Sequence, residues 1–366
     1  MFLTNPFSGA FGLDIGDLSI KLVCLRRRTN MRGQCFFNVE QIRTVYLPPG
    51  LIVNGELEQP EIVRKKLLYL LGKEGSLKPI NIPWTVVGLP ESKTFLKLIE
   101  VEVGDNELTS VDINYHAKKH LPYELEETYI DWQIVNNATA TSPAQVLIGA
   151  APKIIADSYV YLLESVGLSP IALEIEAVSL TRALITVRKD YVGEARALLD
   201  LGATRSSVII FDNNSIQFSM TLRFSGELIT TALMQDLHLT HAEAEALKIK
   251  NGLAYDSNRP KYLKIVTDEV NELLQEIHGA FSFYSEHFKN ANPVTHITMC
   301  GGMSNWIKLD SLIAQKLKIT ARPGNAWKNL FHPTNKEIDH KKGPVLASAI
   351  GLALRAAQNP LQSRNV

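Results

Sequence analysis

The 366-residue chain has little cysteine. Cys24, Cys35 and Cys300 are its only three, and no two of them form a C-x-x-C pair. Neither a zinc ribbon nor a disulfide framework is expected, and a reducing compartment suits the chain. No apolar run comes near the ~20 residues of a membrane span. The first ten residues lack the basic start and apolar stretch of a signal peptide, and the polar stretch 356–366 does not read as an amphipathic anchor. Charge of either sign is not in surplus. Lys and Arg number 38, Asp and Glu 38, which gives no support to general nucleic-acid binding. Two common phosphate-binding signatures are also missing, G-x-x-x-x-G-K-[ST] and G-x-G-x-x-G.

What is there is a composition of 45% hydrophobic and 21% charged residues over a length too great for one ordinary core. The balanced charge hides a layout. Lys21 to Arg32 carries five bases (Lys21, Arg26, Arg27, Arg28, Arg32) and no acid. Glu100 to Asp131 carries nine acids against Lys118 and Lys119. Solvated faces are the plain interpretation, and an acidic module facing a basic partner is the functional one.

Alternation and turn signals predict strands over 10–15, 19–26 and 35–46, with a hairpin tip over 26–34, then a helix over 61–71 and a buried strand over 85–89. Residues 91–168 read as a separate acidic α/β insert: strand 95–101, helix 108–120, strands 129–135 and 145–151 around a polar loop, and helix 153–166. The opening pattern then returns as strand 196–201, a Gly turn, and strands 206–211 and 215–222. Thr240 and Glu243 form a capping-box signature opening a helix to 250. A long periodic helix is expected over 262–288, and a small-residue helix over 344–356.

The aligned pieces LDIGDLSIKLVCL (13–25) and LDLGATRSSVIIF (199–211) indicate an internal duplication. Each places an Asp at a strand end, a Gly two residues on, and a hydroxyl residue beyond. The first is Asp14, Gly16, Ser19, with Lys21 following. The second is Asp200, Gly202, Thr204. Such a turn offers backbone N–H groups to phosphate, and glycine permits close approach. Asp14 and Asp200 can hold a hydrated Mg²⁺ from opposite sides.

These motifs resemble those of the actin-like ATPase superfamily, and within it the PilM family of the type IV pilus inner-membrane platform. INYHAKKHLPYELEETYIDWQIV, DSYVYLLESVGLSPIALEIEAVSLTRAL and GPVLASAIGLALR carry the closer likeness. The resemblance implies an α/β, actin-like duplicated ATPase fold, ribonuclease H-like in its two lobes, with an inserted subdomain of the FtsA and PilM type called 1C. The implied boundaries are 1–90 for lobe I, 91–169 for the insert, 170–192 for the return, 193–343 for lobe II and 344–366 for a closing helix and tail.

The resemblance also implies ATP and Mg²⁺ as cofactors, with Gly16, Asp17, Ser19, Lys21, Gly202, Ala203 and Thr204 around the phosphates. Glu245 and Lys248 of AEALK would face the adenosine, as would Gly301, Gly302 and Met303 of MCGGMSN. Glu176 resembles a water-positioning glutamate, with helix capping as its alternative role. Turnover is expected to be slow or absent, since an adaptor needs only a nucleotide-set conformation. Asp17 departs from the usual small hydroxyl residue and adds negative charge that Arg205 could offset. Cys300 stands where Gly is commoner. The implied partner is the N-terminal cytoplasmic tail of PilN, bound in a groove beside the insert. Other platform components, the pilus motor ATPases and a homo-oligomer are further implied contacts. Nucleic acid is not expected, and the inner membrane is reached only through the partner. A small-molecule kinase or an FtsA-like filament protein is the alternative. His116 and His120, spaced i, i+4, are read as a solvated face, and Phe281, Phe283, Tyr284 and Phe288 as core.

Overall fold

The computed structural model describes residues 5–102, 109–137, 143–331 and 339–358. The polar loop at 138–142, two insert acids (Asp105 and Glu107) and the tail from 359 lie outside the described residues. The first meander is β1 (Phe11–Ile15), β2 (Ser19–Thr29) and β3 (Cys35–Tyr46). A small hairpin, β4 (Ile52–Val53) and β5 (Glu56–Leu57), leads to α1 (Pro60–Leu70) and β6 (Trp84–Leu89). The insert follows as β7 (Phe95–Val101), α2 (Ser110–Ala117), β8 (Thr128–Asn136) and β9 (Ala144–Pro152). The chain returns through α3 (Lys153–Ser165), β10 (Ser169–Ile175) and α4 (Glu176–Leu184).

The second half repeats the plan. A meander of β11 (Ala195–Leu201), β12 (Ser206–Asp212) and β13 (Ser215–Leu222) precedes α5 (Gly226–Leu237), α6 (His241–Asn251) and α7 (Pro260–His287). Then come β14 (Val294–Cys300), α8 (Leu309–Leu317), β15 (Thr320–Pro323) and α9 (Ala347–Ala357). The first sheet runs β10-β6-β1-β2-β3, and the second contains β15-β14-β11-β12-β13. In both, an antiparallel meander is flanked by two parallel strands on the side of its first strand. The duplication seen at 13–25 and 199–211 is thus a duplication of whole sheets.

Alternation in β1 explains how that strand is covered twice. Phe11, Leu13 and Ile15 pack with Leu67 of α1 and Tyr159 of α3. Gly12 lies against α9, where a Cβ would stand 2.3 Å from the Ala353 nitrogen. α9 and α4 pack between the two sheets with Val23, Leu25, Leu198 and Ile209. Their own approach is closer still, because a Cβ on Gly351 would be 1.9 Å from the Ser179 carbonyl oxygen. The small residues of 344–356 are therefore what lets α9 close the molecule.

The structure differs from the predicted organisation in three ways. Buried α3 residues Ile155, Tyr159, Leu162 and Leu163 belong to the core of the first lobe, while Ile99, Val101, Ile113, Ala117, Val146 and Ile148 form the insert's own core. The insert's strands are joined to the second sheet, through one backbone pair between Phe218 of β13 and Lys97 of β7. Finally, α2 is shorter than 108–120. Thr109 caps it in a reciprocal box with Asp112, and it ends at Ala117, so His120 lies beyond the helix that was expected to align it with His116. The second box, Thr240 with Glu243, opens α6. Tyr284 is buried and donates its hydroxyl hydrogen to Asp212.

Candidate functional site

The two glycine turns have the same local geometry. Gly16 N–H donates to the Ser19 carbonyl at 3.0 Å, and Gly202 N–H donates to the Arg205 carbonyl at 2.9 Å. A Cβ on Gly202 would lie 2.4 Å from that carbonyl oxygen, so glycine is required there. The two turns are neighbours in space, since Asp17 of the first contacts Thr204 and Arg205 of the second and Lys21 feels both Asp14 and Asp200.

Strand register sets the next residues. Asp14 is opposite Lys21, and Asp200 is opposite Ser207. Lys21 Nζ pairs with Asp14 at 2.9 Å. Burial works against the Lys21 charge, but Asp14, Glu176 and Asp200 together hold it above the usual lysine range. Ser207 Oγ is buried without a hydrogen-bond partner among the described residues, a hydroxyl beside Asp200 that suits a phosphate oxygen or a metal-bound water.

Carboxyl groups crowd the cleft. Asp14, Asp17, Glu91, Glu176 and Asp200 are gathered here with Lys21 and Arg205 as neighbouring cations. Desolvation, then Asp200 and Asp14, push the Glu176 carboxyl well above the usual range. Asp200 is raised chiefly by desolvation. Such a site admits a polyanion only with a cation to balance it. Among the described residues no cluster of three or more His, Cys, Asp or Glu side chains forms a metal cage. Asp14 and Asp200 would hold a hydrated Mg²⁺ through its waters, which would supply the balancing charge.

Glu91 escaped the sequence reading. It is buried, and it accepts the Ala177 N–H at 3.2 Å, which makes it the cap of α4. Glu176 is the first residue of α4, after Ile175 at the N-cap, and its carboxyl lies beside Asp200 and Asp14. The signal for Glu91 was topological. β6 runs parallel to β1, so the segment just past its end at Leu89 emerges beside the Asp14 turn.

The second turn is tied to the residues expected to face adenosine. Gly226 N–H donates to Gly202 O at 3.1 Å and Glu227 N–H to Ala203 O at 2.7 Å, which sets the N-terminus of α5 on the loop. Lys248 Nζ donates to Gly226 O at 2.9 Å and Thr230 Oγ1 at 2.7 Å, and pairs with Glu245 at 2.6 Å. Its ammonium is spent on protein acceptors, so Lys248 holds Glu245 and α5 in place. Gly301 has φ +81, and a Cβ there would be 2.6 Å from Asp200 Oδ1, whereas one on Gly302 would meet nothing within 4 Å. Met303 lies over Gly226. Buried Cys300 sits under Asp200, and desolvation followed by that carboxylate drives its thiol up.

Asp17 turns toward the second glycine turn. Its carboxylate accepts from Thr204 Oγ1 at 2.9 Å, and it pairs with Arg205 at 3.3 Å. The charge offset expected from Arg205 is therefore a direct contact.

A pH consequence follows from Glu176. A carboxyl raised in the folded state keeps its proton after the unfolded chain has lost it, so stability falls as pH rises above about 4.3. Glu176→Gln removes that fall. In nucleotide-free thermal melts the variant is expected to match the wild type near pH 4 and to exceed it at about pH 8. Equal melting temperatures across the range would contradict the assignment.

A separate groove of about 840 Å³ opens between the insert and the first lobe. Tyr129 and Trp132 of β8, Leu147 and Ala150 of β9, and Ile175 and Val178 form apolar walls. One end is charged. Glu174, 3% exposed, is clamped by Arg182 at 2.5 and 3.0 Å and by Arg355 at 2.5 Å.

The family model described as Type IV pilus assembly protein PilM matches residues 12–357. A solved PilM-PilN type IV pilus biogenesis complex has a chain similar to this one at TM-score 0.81 and 22% identity, covering 96% of this chain and 100% of that one. Ethanolamine utilization protein EutJ from Carboxydothermus hydrogenoformans gives 0.52 and 13%, over 95% and 90%. MreB 5 of Spiroplasma citri, bound to AMPPNP, gives 0.51 and 11%, over 94% and 95%. At these identities the likeness is one of fold, the duplicated actin-like α/β architecture with two lobes.

Proposed function

Because this chain belongs to the family of the type IV pilus assembly protein PilM, we propose that it is a pilus-platform adaptor with two ligand sites. Mg-ATP binds between the lobes, and the N-terminal cytoplasmic tail of a PilN partner binds in the groove. The observation that carries the partner site is the groove itself. An apolar trough bordered by β8 and ending at the Arg182 and Arg355 pair suits a short extended segment with apolar side chains. The similarity to the chain of the PilM-PilN complex supports the same partner. Among the described residues no helix is long and apolar enough to cross a membrane. The adaptor would sit at the cytoplasmic face of the inner membrane, held there by its partner.

At the nucleotide site Gly16 and Gly202 bring backbone N–H groups to the phosphates, Lys21 supplies a cation, and Asp14 and Asp200 face the metal. Bound Mg²⁺ would neutralise phosphate oxygens. Glu176, whose carboxyl is raised by burial and then by Asp200 and Asp14, would orient a water once a bound cation lowers its affinity for the proton. Slow turnover with a nucleotide-set conformation is the expected behaviour.

Titration of a synthetic PilN N-terminal tail into the full chain tests the partner site. Saturable binding is expected, weakened at least tenfold by Val178→Asp, which puts a charge into the apolar wall. Absence of binding with and without Mg-ATP would overturn the adaptor reading.

A further inference from the structure

Asp17 occupies a site built for an anion. The residue is 5% exposed. Its Oδ1 accepts from the Gly55 N–H at 3.1 Å and Arg205 Nη1 at 3.3 Å, and its Oδ2 from Thr204 Oγ1 at 2.9 Å and the Asn54 N–H at 3.2 Å. Asn54 and Gly55 both have positive φ, +51 and +81, and their successive N–H groups point to one place, as in the nests that bind phosphate. Two backbone donors, a hydroxyl and a guanidinium make up the donor set that proteins offer to phosphoryl oxygens. Here the chain fills it with its own carboxylate.

The donors come from different parts of the molecule. Thr204 and Arg205 lie in the second glycine turn, Asn54 and Gly55 in the β4–β5 hairpin, and Asp17 in the first turn. At the duplicated position of Asp17 the second turn has Ala203, so the carboxylate is not demanded by the turn. The hairpin is held from behind, where Tyr159 Oη donates to Gly55 O at 3.0 Å and Pro90 would meet a Gly55 Cβ at 2.4 Å.

We propose that Asp17 is an internal competitor for the phosphate site. It holds Thr204 and Arg205 in the nucleotide-free chain, and the phosphates of a nucleotide must displace it to engage them. This rests on the proposed nucleotide cleft and adds a specific consequence. The residue that links the two turns also weakens nucleotide binding, so Asp17 sets the ligand concentration at which the cleft loads.

The test uses calorimetric titration of the full chain with Mg-pyrophosphate and, separately, with Mg-ATP. Asp17→Asn and Asp17→Ser are both expected to bind pyrophosphate at least tenfold more tightly than wild type. Adding Thr204→Val to Asp17→Ser should remove most of the gain, because the released hydroxyl is a donor to the ligand. A merely structural Asp17 predicts the reverse sign, weaker binding in both variants. Unchanged or weaker pyrophosphate binding, or a gain that survives Thr204→Val, overturns the proposal. If Mg-ATP binds neither wild type nor variants, the nucleotide reading fails by itself, and the pyrophosphate arm still decides the role of Asp17.

Discussion

Asp200→Ala is expected to lower Mg-ATP affinity about 100-fold, measured by displacement of a fluorescent nucleotide. The carboxylate ends β11, touches the Gly301 turn and shares the cleft with Lys21 and Arg205. Removing a charge-assisted partner costs ~1.5–3 kcal/mol, and a factor of ten corresponds to about 1.4 kcal/mol. Asp14→Ala should cost less. Its loss frees Lys21, now paired with it at 2.9 Å, for the phosphates, which offsets part of the effect. The order Asp200 greater than Asp14 is the informative result. Full nucleotide retention in both variants would show that the cleft has been misassigned.

Gly351→Ala is expected to destabilise the whole molecule. The added Cβ would stand 1.9 Å from Ser179 O and 2.5 Å from Ser179 C, so it meets backbone and no rotamer change relieves it. Overpacking costs ~1–3 kcal/mol when side chains can yield, and here helix α9 must move away from α4. A melting temperature lower by several degrees is expected, since each kcal/mol shifts the midpoint by about 2–4 °C even in a chain of 150–250 residues. Gly279→Ala is the control. It lies inside α7 with nothing within 4 Å of its Cβ, and it should gain about 0.5–1 kcal/mol from helix propensity. Equal melting temperatures for the two variants would remove the close α4–α9 crossing from the account.

The parts of this molecule legible in the sequence are those written locally. Asp14-x-Gly16 and Asp200-x-Gly202 each sit at a strand end, so strand alternation and a turn signal suffice to find them. Their repetition gives the fold, because two like meanders must be covered in like ways. The small residues of α9 likewise announce a close helix crossing. What the sequence conceals is set by approach in space. Asp17 reads as an extra charge near phosphates, yet its partners Thr204 and Arg205 are 187 and 188 residues away. Glu91 looks like a residue just past a strand until the parallel pairing of β6 with β1 carries it to Ala177. The groove draws its walls from β8, β9, β10 and α4, with Arg355 of α9 at one end, and no single segment carries its pattern. α3 reads as part of the insert because it follows β9 without a break, but its apolar stripe faces β1.

The two proposed sites share a helix. Tyr159 of α3 binds the Asn54–Gly55 hairpin that holds Asp17, and Ala156 of the same helix lines the groove.

Hydrogen–deuterium exchange on the full chain, with the PilN tail peptide and with Mg-ATP added separately, tests the adaptor account most directly. The tail is expected to protect amides of β8 and of residues 175–187 around the groove. Mg-ATP is expected to protect the turns at 16–19 and 202–205. Protection by the tail elsewhere on the surface, with the groove amides exchanging as in the free chain, would contradict it.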